Sequence, residues 1–222
     1  MEDVSVVSYE SIKENEAIKS YIKAADASLR ALGYTEHSFA HVGKVSDAAA
    51  DILNYVGCDA HTVELARIAG YLHDIGNLVN RVEHSQSGAV MAFRILDNLG
   101  MPAEDIATIV TAIGNHDEGP GVPVNEVSAA LIIADKTDVR RSRVRNTDPS
   151  TFDIHDRVNF SVESSELSIA GREITLTLKI DTEISSLINY FDIFLGRMML
   201  CRKAADKLGM TFRLVINEQQ FI

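Results

Sequence analysis

Ile68-Ala69-Gly70-Tyr71-Leu72-His73-Asp74-Ile75-Gly76 is an apolar, helix-forming stretch that ends in an adjacent histidine and aspartate. Burying an imidazole beside a carboxylate is expensive unless something binds them. Other candidate ligands lie at helix-length intervals on either side: His41 upstream, then His84, His116 and Asp135 downstream. Each sits on an apolar stripe of helical period. His41 heads Val45, Ala48 and Ile52. His84 precedes Gly88, Met91 and Ile95. His116 continues Ile106, Ile109 and Ile113, and Asp135 continues Val127 and Leu131. A single histidine on such a face is ordinarily a satisfied core residue. Several stripes that each carry a ligand-type side chain, joined by a His-Asp pair, predict a metal cage instead. Imidazole and carboxylate together suit first-row metals such as iron, manganese or zinc.

Working outward, the periodicity predicts helices over about 9–30, 37–55, 60–74, 85–98, 103–115 and 125–137, with Gly76 as a stop signal for the third. The segment Glu118-Gly119-Pro120-Gly121-Val122-Pro123 reads as a loop beside His116. After Asn146-Thr147-Asp148-Pro149-Ser150 the pattern changes. Val158, Phe160 and Val162 alternate with polar residues, as do Ile174, Leu176, Leu178 and Ile180. Ala170-Gly171 suggests a hairpin turn, and the phase slips over 163–166, which predicts a bulge. A helix over 183–208 with an apolar stripe of Ile184, Leu187, Ile188, Phe191, Phe194, Leu195 and Met198 follows. A strand containing Phe212, Leu214 and Ile216 ends the unit. The expectation is a mainly α protein: a helical bundle over residues 1–147 and a small α+β unit, β-β-α-β, over 148–222. The small unit is near the lower size limit for a core of its own, so it should pack on the bundle or on a partner subunit. A homodimer through it stays open.

The order His41, His73-Asp74, Asp135 resembles the signature of the HD-domain metalloenzyme superfamily, and His73-Asp74-Ile75-Gly76 matches its HDIG subgroup. His84 and His116 resemble the expanded set of the two-metal members. Among these, the bacterial diadenosine tetraphosphate hydrolases look nearest in ligand order. The segments His41-to-Val45, His84-to-Gly88-Ala89, Ile113-to-His116 and Ala134-Asp135 recur there in recognisable form, and the resemblance covers about residues 35 to 145. It implies an HD-domain helical bundle holding two divalent or mixed-valent transition-metal ions, iron or manganese first. Asp74 would bridge them, His41, His73 and Asp135 would complete one, and His84 and His116 would hold the other. Two such ions activate a water as hydroxide and clamp phosphate oxygens. The implied activity is a metal-dependent phosphohydrolase that cleaves a phosphoester or phosphoanhydride bond of a nucleotide or another small phosphorylated molecule. A mixed-valent di-iron oxygenase shares the same ligand order, and a non-catalytic metal- or nucleotide-binding regulatory domain is the third reading.

His37 lies one turn before His41. A similar His-x-x-x-His spacing occurs in cyclic nucleotide phosphodiesterases, where the first His is the general acid, so His37 is the candidate acid, beside Asp74 as a catalytic residue. Asp117 and Glu118 are second choices. The basic run after Asp135 offers Lys136, Arg140 and Arg141 for substrate phosphate, while Arg143 and Arg145 read as a surface loop. Many HDIG proteins carry Lys after the Gly; here it is Asn77. His61 and His155 lie outside the ligand pattern.

Composition sets the limits. A chain of 222 residues with 46% hydrophobic and 24% charged residues is ordinary for a soluble globular protein. A net charge of −11 argues against duplex nucleic acid as a partner. The start, Met1-Glu2-Asp3, lacks a signal-peptide apolar core, no run approaches a membrane span, and Cys58 and Cys201 form no metal-type pair. The expected location is a reducing cytoplasm.

Overall fold

The computed structural model describes residues 7–222, so the acidic start Met1-Glu2-Asp3 lies outside the described residues. The first helical segment is two helices, α1 (Tyr9–Glu14) and α2 (Glu16–Ala31), rather than one. Asn15 breaks it. At φ −70° and ψ 116° the backbone leaves the helix, and the Asn15 side chain accepts hydrogen bonds from the amides of Ala17 and Ile18. An asparagine that caps the next helix in this way competes with helix continuation.

Helix α3 (Phe39–Val56) starts behind Ser38, whose side chain accepts from the Ala40 amide, so His37 precedes the helix instead of lying on it. Helix α4 (Ala60–Leu72) stops short of the His-Asp pair, and a 3₁₀ turn, Ile75–Leu78, follows. Gly76 is therefore not the stop signal. It lies where this turn crosses α5 (His84–Asn98), and a Cβ there would overlap the His84 carbonyl oxygen and the Gly88 amide. Gly70 plays a matching part on α4, since a Cβ would come within 2.8 Å of the Ser46 Cα on α3. Helices α6 (Ala103–Gly114) and α7 (Glu126–Lys136) complete the bundle close to their expected limits. Every residue from Val127 to Ala134 is buried. A helix that is apolar on all sides belongs at the centre, and α3, α4, α6 and the later helix α9 (Leu187–Lys207) all pack on α7.

The C-terminal alternation starts differently from expectation. Val158 and Phe160 lie on α8 (Ile154–Ser161), which Asp153 caps by accepting from the Asp156 amide at 2.8 Å. Three alternating positions are too few to tell a strand from a short capped helix. The sheet begins at Val162. Its order is β1-β2-β3-β4, with β1 (Val162–Ala170) antiparallel to β2 (Glu173–Ile180). β3 (Thr211–Ile216) runs parallel to β2, and the short β4 (Gln219–Gln220) closes the edge. The register of β1 shifts between Val162 and Ser164, the irregularity that the phase slip predicts. Helix α9 is the crossover between β2 and β3, as parallel neighbours require. Its buried face is Tyr190, Phe194, Met198, Cys201 and Ala205. Ile188 and Leu195, assigned to the core stripe from sequence, are exposed, while Phe194 and Met198 of that stripe are buried, so packing against α7 and the sheet selects one side of it. Among the described residues no helix is long and apolar enough to cross a membrane.

The close approach at Gly76 generates a stability prediction. Gly76→Ala should destabilise the fold by about 2 kcal/mol or more, since backbone rather than a flexible side chain has to move. Urea unfolding measures it, and an unchanged midpoint would show that the crossing is looser than described.

Candidate metal centre

The predicted donors arrive from separate elements and converge. His41 comes from the first turn of α3, His73 and Asp74 from the corner after α4, and His84 from the start of α5. His116 follows the end of α6, and Asp135 is near the end of α7. Three overlapping groups bring ligand atoms within 4.8 Å of one another: His41, His73 and Asp74; His73, His116 and Asp135; Asp74, His84 and His116. Asp74 Oδ2 lies 3.3 Å from His73 Nε2 and 3.5 Å from His41 Nε2. Its other oxygen, Oδ1, lies 3.6 Å from His84 Nε2. Asp135 Oδ1 is 3.3 Å from His41 Nε2 and 3.6 Å from His73 Nε2. The Asp74 carboxylate thus spans two clusters of donors, one oxygen to each.

The imidazoles are oriented alike. Each places Nδ1 beside an acceptor: His41 on Asp138 Oδ2 at 2.8 Å, His73 on the Gly70 carbonyl at 2.8 Å, His84 on the Arg81 carbonyl at 3.1 Å and His116 on the Ile113 carbonyl at 2.6 Å. The proton then sits on Nδ1, and each Nε2 turns a lone pair inward. His84 Nε2 and His116 Nε2 face each other at 3.2 Å. His41 Nε2, His73 Nε2 and Asp74 Oδ2 are buried without a hydrogen-bond partner. Lone pairs facing lone pairs in a buried site repel unless a cation lies among them. Donors bound about 2.1 Å from a shared ion sit roughly 3.0–3.4 Å apart, close to the spacings here. The residues fit a first-row metal.

The electrostatics agree. Burial would raise the carboxyl pKa values of Asp74 and Asp135, but the charge of His73 on the first and of Lys136 on the second holds both well below the usual range. Burial would lower that of His73, yet Asp74 and Asp135 outweigh it and lift the imidazole to about 10. The two aspartates therefore demand a positive charge at this point.

Two residues support the donors from behind. Asn77, where many HDIG proteins have Lys, donates from Nδ2 to the Asp74 carbonyl and to Asp74 Oδ1, both at 2.9 Å. It fixes the spanning carboxylate and does not reach for substrate. Asp138 holds the His41 ring and is itself gripped by Arg140, whose Nε is 2.6 Å from Oδ1. Sequence reading missed Asp138; its only signal was a second aspartate three residues after Asp135. His37 Nε2 lies 4.0 Å from Asp74 Oδ2, and its Nδ1 is 2.7 Å from the Thr35 carbonyl. It lies at the site even though it is not helical.

A cavity of about 370 Å³ opens on the donors, its walls including His37, Asp74, His84, Asp135 and Lys136. The basic run divides differently from expectation. Arg140 is committed to Asp138 and Glu36, and Arg141 bonds the Phe160 carbonyl and covers the Phe160 ring at 4.7 Å. Neither lines the cavity. Lys136 does, but Asp135 at 2.8 Å and Asp117 and Glu118, each at 3.6 Å, surround its ammonium. Arg143, read as surface, is buried and lines the cavity, tied to the Glu36 carbonyl at 2.9 Å and the Asp138 carbonyl at 2.8 Å. Arg81, Arg197 and His155 also line it. Sequence spacing could not find them, because they come from loops and from the C-terminal unit.

Residues 38–141 match the HD domain family. The six donors His41, His73, Asp74, His84, His116 and Asp135 fall inside that span. The chain is 25% identical over 183 residues to the uncharacterized protein MJ1020 of Methanocaldococcus jannaschii, covering 72% of this chain and 70% of that one. A solved structure described as a predicted HD superfamily hydrolase, from an uncultured Thermotogales bacterium, has 25% identity and a TM-score of 0.45. It covers 56% of this chain and 67% of its own.

Asp138 offers a test that leaves every donor in place. Asp138→Asn should weaken metal binding about 10- to 100-fold, because the ring it orients loses its anionic acceptor. Competition with a chelator of known affinity measures this; affinity equal to wild type would remove Asp138 from the site.

Proposed function

We propose that the protein is a metal-dependent phosphohydrolase that cleaves a phosphoester or phosphoanhydride bond of a small phosphorylated molecule, a nucleotide first among them. The observation that carries this reading is a buried set of unpartnered Nε2 and carboxylate donors at the floor of a cavity whose walls hold Arg81 and Arg143. The six-donor order and the run His73-Asp74-Ile75-Gly76 support a two-metal member of the HDIG subgroup, resembling the diadenosine tetraphosphate hydrolases. His41, His73, Asp74 and Asp135 would hold one ion, and Asp74, His84 and His116 the other, with iron or manganese suited to this donor set. When bound, such ions lower the pKa of water and neutralise phosphate charge.

The chain's own residues bind, orient and move protons. Arg81 and Arg143 offer guanidinium groups to phosphate oxygens. Lys136 keeps Asp135 ionised and in position. His37 is the proton carrier. Burial lowers its pKa well below the ordinary imidazole value, so the ring rests neutral, with its Nδ1 proton on the Thr35 carbonyl and Nε2 free toward the cavity. Nε2 therefore accepts a proton before it can deliver one to the leaving oxygen, a shuttle rather than an acid charged at rest.

Two substitutions and one measurement test the reading. Asp74→Ala should remove the metals and lower turnover on the order of a thousandfold or more, while circular dichroism stays helical. His37→Ala should lower kcat about a hundredfold and keep the metals; if the metals leave with it, His37 is a ligand. Elemental analysis of gently purified protein should give about two metals per chain, with phosphate released from at least one nucleotide. Two irons with oxygen uptake and no phosphate release would replace hydrolysis by oxygenase chemistry. Neither reaction in metal-replete protein would leave a binding domain.

A further inference from the structure

The wall of the cavity opposite the helical bundle belongs to the C-terminal unit, outside the segment that matches the HD domain. Helix α8 supplies His155, Asp156 and Asn159, and α9 supplies Phe194 and Arg197. Arg197 differs from the basic residues after Asp135. Its guanidinium carbon lies over the Phe194 ring, 4.8 Å from the centroid, and Nε is 2.5 Å from Glu118 Oε1. A cation–π contact and a single ion pair hold the fork in place. Among the described residues no hydrogen bond engages its Nη groups, and the side chain is 30% exposed at the cavity.

A second observation points the same way. Arg143 lines the same cavity and is buried. Burial pushes the Arg143 pKa down, the charges of Asp138, Asp135 and Asp74 push it up, and the charge of Arg197 adds a smaller push down. Two cations lining one partly desolvated cavity favour an anion between them. Arg143 is held by the carbonyls of Glu36 and Asp138 and lies 3.7 Å from Asp138 Oδ2, a carboxylate that it shares with His41 and Arg140. Glu118, the partner of Arg197, is likewise shared with Lys136.

We propose that Arg197 is a substrate-binding residue through which the C-terminal unit, acting with Arg143, grips a second phosphate of the substrate besides the one at the metal donors. This rests on the phosphohydrolase reading above for the identity of the anion. It gives the C-terminal unit a role in selection: compounds with two linked phosphates bind, and those with one bind weakly. The planar fork matters as well as the charge, because bidentate contact to phosphate needs two N–H groups held in one plane.

The test uses the full chain loaded with manganese, and inorganic phosphate and pyrophosphate as probes in titration calorimetry. Wild type should bind pyrophosphate at least about tenfold more tightly than phosphate. Arg197→Gln should lower pyrophosphate affinity about tenfold more than it lowers phosphate affinity, with metal content equal to wild type. Arg197→Lys, which keeps the charge without the fork, should recover only part of the loss. Equal pyrophosphate affinity in wild type and Arg197→Gln overturns the proposal. So does an equal loss for both anions accompanied by loss of metal, which would make Arg197 a structural residue. Failure of the underlying reading looks different. If pyrophosphate binds with the Arg197 dependence described but no phosphate compound is hydrolysed, the hydrolase reading falls and the anion site stands. If hydrolysis occurs and Arg197→Gln changes nothing, only the anion site falls.

Discussion

Four imidazoles and two carboxylates are held in a nearly dry cluster with their lone pairs turned on one another, and the rest of the structure accommodates that constraint. Such an arrangement is unfavourable by itself, because desolvated acceptors repel and have lost their water. It persists because each imidazole is anchored from behind through Nδ1. Three of those anchors are backbone carbonyls, on Gly70, Arg81 and Ile113, and the fourth is Asp138. Carbonyl anchors within three residues of the ring tie the donor geometry to the local backbone, so the site is as rigid as its corners.

The scaffold follows from the same need. The His-Asp pair sits in a corner, after α4 has ended and before the 3₁₀ turn begins, since one continuous helix would point adjacent residues about 100° apart. Gly70 lets α4 approach α3, and Gly76 lets the turn cross α5, which brings His41 and His84 to the two sides of Asp74. Helix α7, buried along its length, ends by delivering Asp135 and Lys136 to the polar centre, with Asp138 just beyond. The apolar core thus stops where the donors begin, and buried charge is confined to one place where it is compensated.

The C-terminal unit completes the cavity. Its sheet and crossover helix bury Tyr190, Phe194 and Met198, and α9 packs on α7 beside the donors. That contact carries side chains from late in the chain, Asn159 and Arg197 among them, to the site built by the first part. Of the basic residues after Asp135, Arg140 and Arg141 are occupied away from the cavity and carboxylates surround Lys136, while Arg143 shares the cavity lining with Arg81 and Arg197.

The sequence by itself determined which side chains converge and most of the helices. Apolar residues at helical spacing mark a buried face directly, and a charged or imidazole residue on such a face has few reasons to be there. The alternation of β2 and β3 and the slip in β1 were legible for the same kind of reason, because a two-residue period sorts residues between faces of a sheet. Only the tertiary structure decided what depended on competition among local signals or on distance in the chain. Asn15 splits a periodic segment by capping, Asp153 turns an apparent strand into α8, and Gly76 serves a crossing rather than a stop. The roles of Asp138, Arg143 and Arg197 rest on contacts that no spacing encodes: a side chain becomes a support or a cavity wall only when another segment packs against it.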